Sequence, residues 1–503
     1  MSQPPPTDFG TEVTGPQQIP SRQLMPASRL GRHLRQAAVH VVRSSAPPTI
    51  ALGQRSGDDE ISQQHAREVI DLVLRVGEAM LATGASAAET VATVLRLAQA
   101  YGVGSVHVDI TYTSIAISIH RGLAEDPLSV MRVVSVRAPD YTRLEGVQRH
   151  IERIIESAGP GGPTMDVTAA RKKLQRLLAS PHPYRRWVVT LGYSIMAVGV
   201  VMLFAVGPVM WVVAAISTAI VDRVQRALYW WGVAAFFTQA VSAAVPSLFA
   251  LLMFAFGDVI LPGVSFAPSV VVISGIVVLL AGLGVLGAAQ DAVDGYYVTA
   301  GARGLEVLMM TLGIAVGVAV VIGIGRAVGV SMEASAVVAL GGSPLVSTLG
   351  ATLIALGFCL STYAGPRTIV ISVLISALSW MVFDSLQALG LAPVMATAVA
   401  ATLVGALAYV AYRRLQVAEA AVATAAIVAF LPGLSVYRSL YLVMQNSAAT
   451  IPQAMVWLVV AVSTGVALAA GLALGGFLAR RRLGLDRAAL RARRRSRGSH
   501  VTT

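Results

Sequence analysis

Two stretches, L191-G-Y-S-I-M-A-V-G199 and L349-G-A-T-L-I-A-L-G357, are apolar and place a Leu-Gly pair and a second glycine at the same spacing. Each is followed by a Gly-Pro pair, first at 207–208 and then at 365–366. Leu349 follows Leu191 by 158 residues, and the later glycines keep that offset. The sequence therefore predicts an internal repeat whose second copy begins about 158 residues after the first.

Two further matches occur in the same order along the chain. The stretch D222-R-V-Q225 corresponds to D384-S-L-Q387, and A281-G-L-G-V-L286 corresponds to P432-G-L-S-V-Y437. Their offsets, 162 and 151 residues, differ by only a few residues from the first. Small insertions between otherwise equivalent helices explain such drift, so both matches support the repeat.

The composition indicates that the repeat lies in a membrane. The chain of 503 residues is 55% hydrophobic and 13% charged, whereas soluble proteins carry about a quarter charged residues. A crossing helix needs about 20 apolar residues. We predict ten crossings, of which the second is short, near 187–206, 208–221, 231–256, 268–289, 304–325, 345–364, 367–386, 393–412, 417–436 and 453–479.

Five crossings in each copy is an odd number, so the two copies must be inverted relative to each other. Arginines support this topology, since positive charge accumulates on the cytoplasmic side. If the chain starts inside, only Arg326 and Arg438 fall outside. The cytoplasmic arginines are then Arg223, Arg226, Arg303, Arg367, Arg413, Arg414 and Arg480 to Arg482. Both termini are therefore predicted to be cytoplasmic, with no cleaved signal peptide. The net charge of +12 indicates contact with anionic membrane lipids and no nucleic-acid binding.

The predicted fold class is a polytopic all-α membrane protein, with ten transmembrane helices as two inverted five-helix repeats and a small N-terminal cytoplasmic α+β domain. Residues 1–57 form a disordered Pro-rich tail, and 58–180 form the soluble domain. Its helices are predicted at 61–83, 86–101, 141–158 and 164–179, and its strands at 105–111, 114–120 and 131–137. The repeats occupy 187–325 and 345–480, and a basic cytoplasmic tail occupies 481–503.

Inverted repeats with broken helices at matching positions are typical of secondary transporters, whose substrate site lies at the breaks. Here the matching breaks are predicted at A281-G-L-G and at L431-P-G-L-S. Polar residues follow both, and carboxylates there suit an ammonium group or a proton while arginines suit a carboxylate. The candidate site residues are Asp291, Asp294, Arg303, Glu306, Asp384, Pro432, Gly433, Tyr437 and Arg438.

Two alternatives stay open for these residues. Residues 290–304 could be a plain cytoplasmic loop, in which Asp291 caps a helix and Glu306 pairs with Arg303. Asp384, and Asp222 at the matching position, could simply end their helices at the membrane interface. All eight histidines lie outside 187–480, so proton coupling within the membrane would have to use carboxylates.

Other kinds of chemistry find little support in the sequence. It contains no phosphate-binding loop, no metal-ligand cluster and no nucleophile motif, so no cofactor or metal is expected. Cys359 is the one cysteine, which excludes an internal disulfide. A membrane-anchored enzyme would have to use the soluble domain, whose polar candidates are Asp109, Tyr112, Thr113, Ser114 and His120. Their spacing fits no catalytic triad.

Several motifs resemble the threonine/serine exporter family. In the soluble domain these are G77-E-A-M-L-A-T-G-A-S-A-A-E-T-V91, Y101-G-V103 and T111-Y-T-S-I-A-I-S-I119. In the membrane halves they are Q290-D-A-V-D-G-Y-Y-V-T-A-G-A-R303 and P432-G-L-S-V-Y437. The resemblance covers about 58 to 480 and supplies no established binding residue.

The resemblance implies a non-enzymatic exporter of small hydroxy amino acids in the cytoplasmic membrane, driven by the proton-motive force. Its partners would be the amino-acid substrate, protons and membrane lipids, and a homo-oligomer is left open. Similar membrane halves also occur as two separate chains associated with succinate export, so a dicarboxylate exporter is the main alternative.

Overall fold

The computed structural model describes residues 63–104, 106–119, 127–134, 139–158, 165–204, 206–260, 267–279, 282–330, 343–444 and 450–498. The predicted N-terminal tail, 1–57, lies outside the described residues. So do the side chains of most of the predicted basic tail, 481–503, as well as His120 and the end of the strand predicted at 131–137.

The N-terminal part has four helices and a three-stranded antiparallel sheet of order β1-β2-β3. Gly84 has φ +106°, so it ends the first helix where the sequence predicts. The Ser86 side chain accepts a hydrogen bond from the Glu89 N–H and caps the second helix. The elements are α1 Gln63–Thr83, α2 Ala87–Ala100, β1 Val106–Thr111, β2 Ser114–Ile119, β3 Leu128–Val133, α3 Tyr141–Ser157 and α4 Val167–Ala179.

The core of this part forms because β2 alternates in burial. Ile115, Ile117 and Ile119 are buried, whereas the residues between them are partly exposed. Helices α1 and α2 pack their apolar sides onto this one face of the sheet, and α3 and α4 pack against the helices, with Leu72 of α1 and Leu144 of α3 fully buried. The opposite face of β3 stays exposed at Met131 and Val133.

The remaining helices are mostly long and apolar. They are α5 Arg186–Met202, α6 Pro208–Trp230, α7 Ala235–Ile260, α8 Pro268–Leu279, α9 Gly282–Val293, α10 Tyr297–Ala327, α11 Pro344–Ser361, α12 Pro366–Ala388, α13 Pro393–Leu415, α14 Glu419–Ile427, a 3-10 turn Val428–Phe430, α15 Gly433–Met444 and α16 Ile451–Gly498. Within the described residues, seven helices suit a membrane crossing, or eight if α8 and α9, bent by 49°, form one. Two shorter apolar helices are Arg186–Met202 and Glu419–Phe430. The chain is thus a multi-pass membrane protein.

Two predictions about these helices are wrong. The crossing predicted at 208–221 is not short, since α6 continues to Trp230. It can continue because Asp222, only 4% exposed, is neutralised by Arg186 and Arg226. Residues 290–304 are not a plain loop either, because α10 begins at Tyr297 and already contains Arg303.

Helices α5 and α11 cross at a pair of close glycine contacts. A Cβ added to Gly192 would lie 2.7 Å from the Gly357 carbonyl oxygen, and one added to Gly199 would lie 2.6 Å from that of Gly350. The order reverses between the two contacts, so the helices are antiparallel. In the predicted repeat Gly192 corresponds to Gly350, and Gly199 corresponds to Gly357. Gly192 therefore touches the counterpart of Gly199, and Gly199 touches the counterpart of Gly192. Contacts of this reciprocal kind are those of a two-fold relationship.

A second set of glycine contacts follows the same offset. Gly313 and Gly317 of α10 lie against carbonyl oxygens of α7. Gly471 and Gly475 of α16 lie against carbonyl oxygens of α13. Each member of the second pair follows its counterpart by 158 residues, a match that the sequence analysis missed. Close backbone approach of this kind is typical of packed membrane helices.

Candidate functional site

A buried ion pair lies toward the end of the helix that follows the first helix break, nine residues after the first residue of that helix. Helix α8 ends at Leu279 and α9 begins at Gly282, next to the break predicted at A281-G-L-G. The Asp291 side chain is fully buried on α9, and Arg303 Nη1 lies 3.1 Å from its Oδ2, with 14% of the Arg303 side chain exposed. Gly287 makes room for this pair, since a Cβ there would lie 2.5 Å from Arg303 Nη1.

The turn between α9 and α10 brings these two side chains together. Gly295 has φ +89°, a conformation that favours glycine, and the Tyr296 N–H donates to the Asp291 carbonyl oxygen at 2.7 Å. The chain therefore reverses within three residues and lays α10 antiparallel to α9. Twelve residues apart in sequence, Asp291 and Arg303 become neighbours across this hairpin.

Asp294 lies in that turn and is partly buried. Burial, followed by the negative charge of Asp291, raises the pKa of the Asp294 carboxyl to about 6. Asp294 is thus affected by the charge of Asp291, and the cation that partly offsets the rise of its pKa is Arg480 rather than Arg303. A carboxyl that exchanges a proton near neutral pH suits proton coupling.

The N-terminal domain reaches the same site through the β1-β2 turn. The Tyr112 hydroxyl donates a hydrogen bond to Glu306 Oε2. Arg303 Cζ lies 5.9 Å from the centre of the Tyr112 ring, and the Thr299 hydroxyl donates to the Ile110 carbonyl oxygen at 3.1 Å. Glu306 is therefore exposed at the edge of the site and contacts the domain, and it does not join the buried pair. Sequence analysis missed this contact, which joins residues 194 positions apart.

The second break adjoins the first half. The 3-10 turn ends at Phe430 and α15 begins at Gly433, next to the break predicted at L431-P-G-L-S. Pro432 and Gly433 are buried, and a Cβ added to Gly433 would lie 2.7 Å from the Val277 side chain of α8. The two breaks therefore lie close together in the described structure.

The other predicted residues of the second half have separate surroundings. Arg438 is partly buried, with its Cζ 4.4 Å from the centre of the Trp457 ring on α16. The side chain of Tyr437 lies outside the described part of the chain. Asp384 accepts a hydrogen bond from the Ser347 hydroxyl at 3.3 Å, which ties α12 to α11. In the first half Thr190 donates to Asp222 at 2.7 Å, so the two matched aspartates each join the first two helices of their repeat.

The polar candidates of the N-terminal domain do not form a catalytic arrangement in the described residues. The hydroxyls of Thr111 and Ser114 hydrogen-bond to each other at 2.6 Å across the β1-β2 turn. Tyr112 binds Glu306, and Asp109 is exposed on the sheet opposite Ala116. No group of three metal-binding side chains occurs among the residues that the structure describes.

Comparison with known proteins identifies the family. Residues 71–325 match the family described as "Putative threonine/serine exporter", and residues 347–478 match the one described as "Threonine/Serine exporter, ThrE". The "Probable threonine/serine exporter" of Mycobacterium tuberculosis is 35% identical over 454 residues, which cover 89% of this chain and 83% of that protein. The "Threonine/serine exporter" of Corynebacterium glutamicum is 33% identical over 419 residues, covering 82% and 83%. No solved structure matches. The chain belongs to the threonine/serine exporter family.

Proposed function

We propose that this protein is a secondary exporter of L-threonine and L-serine in the cytoplasmic membrane, driven by the proton-motive force. The observation that carries the proposal is the buried Asp291–Arg303 pair on the hairpin that follows the first helix break, with Asp294 in the turn of that hairpin. Two relatives that match most of the chain are named as threonine/serine exporters, which supports the same substrate.

The proposed architecture is ten crossings in two inverted repeats, with both termini and the N-terminal domain in the cytoplasm. The reciprocal contacts of Gly192 and Gly199 with Gly357 and Gly350 support the inversion. The broken helices support it too, because α8 and α9 have 12 residues each, and Glu419–Phe430 and α15 repeat this length. In this architecture the helix pairs α8–α9 and α14–α15 each form one crossing.

The proposed mechanism alternates access to a site at the two breaks. In this topology Asp294 lies in the cytoplasmic turn after α9, where its pKa of about 6 lets it exchange a proton with the cytoplasm near ambient pH. Arg303 pairs with Asp291 and fixes the position of its carboxylate. The β1-β2 turn covers the cytoplasmic end of this group through Tyr112 and Thr299, so it must withdraw when the site opens inward.

Export of a dicarboxylate such as succinate is the second candidate. Arg438 beside the second break favours it, since a dianion needs two cationic contacts and Arg303 is the only other arginine of the candidate site. Arg303 is already engaged by Asp291, however, and a dianion would face two carboxylates there. This local charge favours the amino acid.

The test is efflux from proteoliposomes that are preloaded with labelled threonine or succinate, with and without an imposed proton gradient. We expect gradient-driven threonine efflux that Asp294→Asn abolishes. Asp109→Asn, which removes an exposed carboxylate from the sheet, is the matched control and should transport normally. Succinate efflux without threonine efflux would overturn the proposed substrate, and equal efflux with and without the gradient would overturn the proposed coupling.

A further inference from the structure

Two polar side chains buried within the apolar helix α7 each carry an oxygen atom that has no hydrogen-bond partner in the described residues. Gln239 is 4% exposed and Ser242 is fully buried. Within the described residues Gln239 Oε1 accepts no hydrogen bond, and Ser242 Oγ neither accepts nor donates one. An unsatisfied polar atom in a protein interior costs free energy, so such atoms call for an explanation. Spaced three residues apart, the two side chains lie on one side of the helix.

Pro246 adds a third unsatisfied group at the same place. Proline has no N–H, so the helical hydrogen bond from residue 246 to the Ser242 carbonyl oxygen is missing. Inside a membrane such a freed carbonyl must be satisfied by protein, water or a ligand. One turn of α7 therefore presents three oxygen atoms that can accept hydrogen bonds.

Neighbouring helices place this turn at the height of the first break. Gly275 of α8 lies against Pro246, since an added Cβ would be 2.6 Å from the proline ring. Helices α7 and α8 are consecutive and antiparallel, so Leu279, four residues beyond Gly275, is level with Ser242, four residues before Pro246. Helix α8 ends at Leu279, and the C-terminal end of a helix carries partial negative charge.

We propose that Gln239 and Ser242 bind the ammonium group of a small amino-acid substrate. The proposal rests on the proposed function and assigns one half of its substrate site. An ammonium group has three donors and no acceptor, which matches three acceptor oxygens and the negative end of α8. The substrate carboxylate then faces the N-terminal end of α9, which carries partial positive charge.

This arrangement separates substrate selection from proton coupling. Neutral acceptors hold the ammonium group on α7, while the ionised groups lie on α9 and α10. A dicarboxylate offers no donor to the three oxygens of α7, so it leaves the Gln239 Oε1 and the Ser242 carbonyl oxygen unsatisfied and can be bound only by the Ser242 hydroxyl as a donor. Sites that hydrogen-bond a substrate group reject analogues lacking that group for this reason.

The test compares threonine with 3-hydroxybutyrate, which is threonine without its amino group. Unlabelled compounds compete with labelled threonine in proteoliposome counterflow, and the half-inhibitory concentrations of the two are compared. The variants are Gln239→Leu and Ser242→Ala. The matched control is Ser247→Ala, because Ser247 is equally buried on α7 but its hydroxyl already donates to the Ala243 carbonyl oxygen at 2.9 Å.

For the unmodified protein we expect threonine to compete at least about tenfold better than 3-hydroxybutyrate, since each hydrogen bond to a charged group contributes about that factor. In Gln239→Leu and Ser242→Ala this preference should fall at least about fivefold, and in Ser247→Ala it should stay. If Gln239→Leu and Ser242→Ala still transport threonine and keep the unmodified protein's preference for threonine, the inference is overturned, even where their transport rates are lower. Absence of threonine transport by the unmodified protein would overturn the proposed function together with the inference.

Discussion

Neutralising either member of the Asp291–Arg303 pair should destabilise the protein far more than neutralising both. Asp291 is fully buried and Arg303 is 14% exposed, so Asp291→Asn leaves a nearly buried guanidinium without its charged partner. Removing one member of a buried pair costs about 3–5 kcal/mol, whereas replacing the whole pair is often close to neutral. We expect about 3–5 kcal/mol for Asp291→Asn and for Arg303→Gln, and clearly less than either of these values for the double variant.

The measurement is a double-mutant cycle from equilibrium unfolding in detergent. Glu419→Gln is the control, because Glu419 pairs with Arg480 at 3.3 Å while that arginine is 53% exposed. A pair this open to solvent contributes about 1 kcal/mol at most. Additive effects of Asp291→Asn and Arg303→Gln, or a cost no larger than that of Glu419→Gln, would refute the reasoning.

The unmodified protein, the two single variants and the double variant also show whether the pair has a structural role or a role in transport. If the pair only joins α9 to α10, the double variant recovers threonine efflux as it recovers stability. If Asp291 supplies negative charge that the transport cycle needs, the double variant is stable and inactive. We expect the second result, because the charge of Asp291 contributes to the raised pKa of Asp294, the carboxyl to which the proposed coupling assigns the proton.

Three further outcomes are expected. Tyr112→Phe removes the hydrogen bond to Glu306 and should raise the rate of efflux without changing which amino acids compete, as measured in proteoliposomes. Gly357→Ala should lower the melting temperature, because its Cβ would lie 2.6 Å from the Met196 nitrogen on α5, whereas Gly323→Ala, with open space around it, should not. Asp294 has a folded-state pKa of about 6, above its usual value of about 3.9, so the folded state keeps a proton that the unfolded state has lost. Stability should therefore fall as pH rises from about 4 to 6, and thermal melting of Asp294→Asn should lack that fall.

The sequence alone predicts those features whose signals are local. Gly84 and Ser86 mark the junction of the first two helices because a positive φ and a side-chain cap each depend on one residue. The breaks at 281–284 and 431–435 are visible because glycine and proline interrupt otherwise continuous apolar runs. Asp291 and Arg303 can each be named as candidates because both flank one short turn, but their pairing is not predicted, since the alternative pairs Arg303 with Glu306 instead.

Features that depend on distant neighbours could not be predicted in this way. Asp222 resembles a helix end in sequence, yet α6 passes through it because arginines at 186 and 226 compensate its charge. Gln239 and Ser242 are two polar residues in a long apolar run, and only the packing of α8 against α7 shows that they lie level with the first helix break. The contact between Tyr112 and Glu306 joins residues 194 positions apart, and no repeat or periodicity of the sequence indicates it.

The N-terminal domain touches both predicted repeats, and this has a mechanical consequence. It holds α10 of the first repeat through Thr299, and it holds the α11–α12 junction of the second, where the Tyr141 N–H donates to the Thr362 carbonyl oxygen at 3.1 Å. His182 also stacks on Tyr363 of that junction, with ring centres 4.3 Å apart. In the proposed alternating-access cycle one repeat moves relative to the other, so we expect that the domain does not keep both sets of contacts throughout that cycle. The contact at α10 is the one beside Arg303, and its release would both open the cytoplasmic end and loosen the arginine that holds Asp291. Docking of the domain is thereby coupled to the charge state of the site.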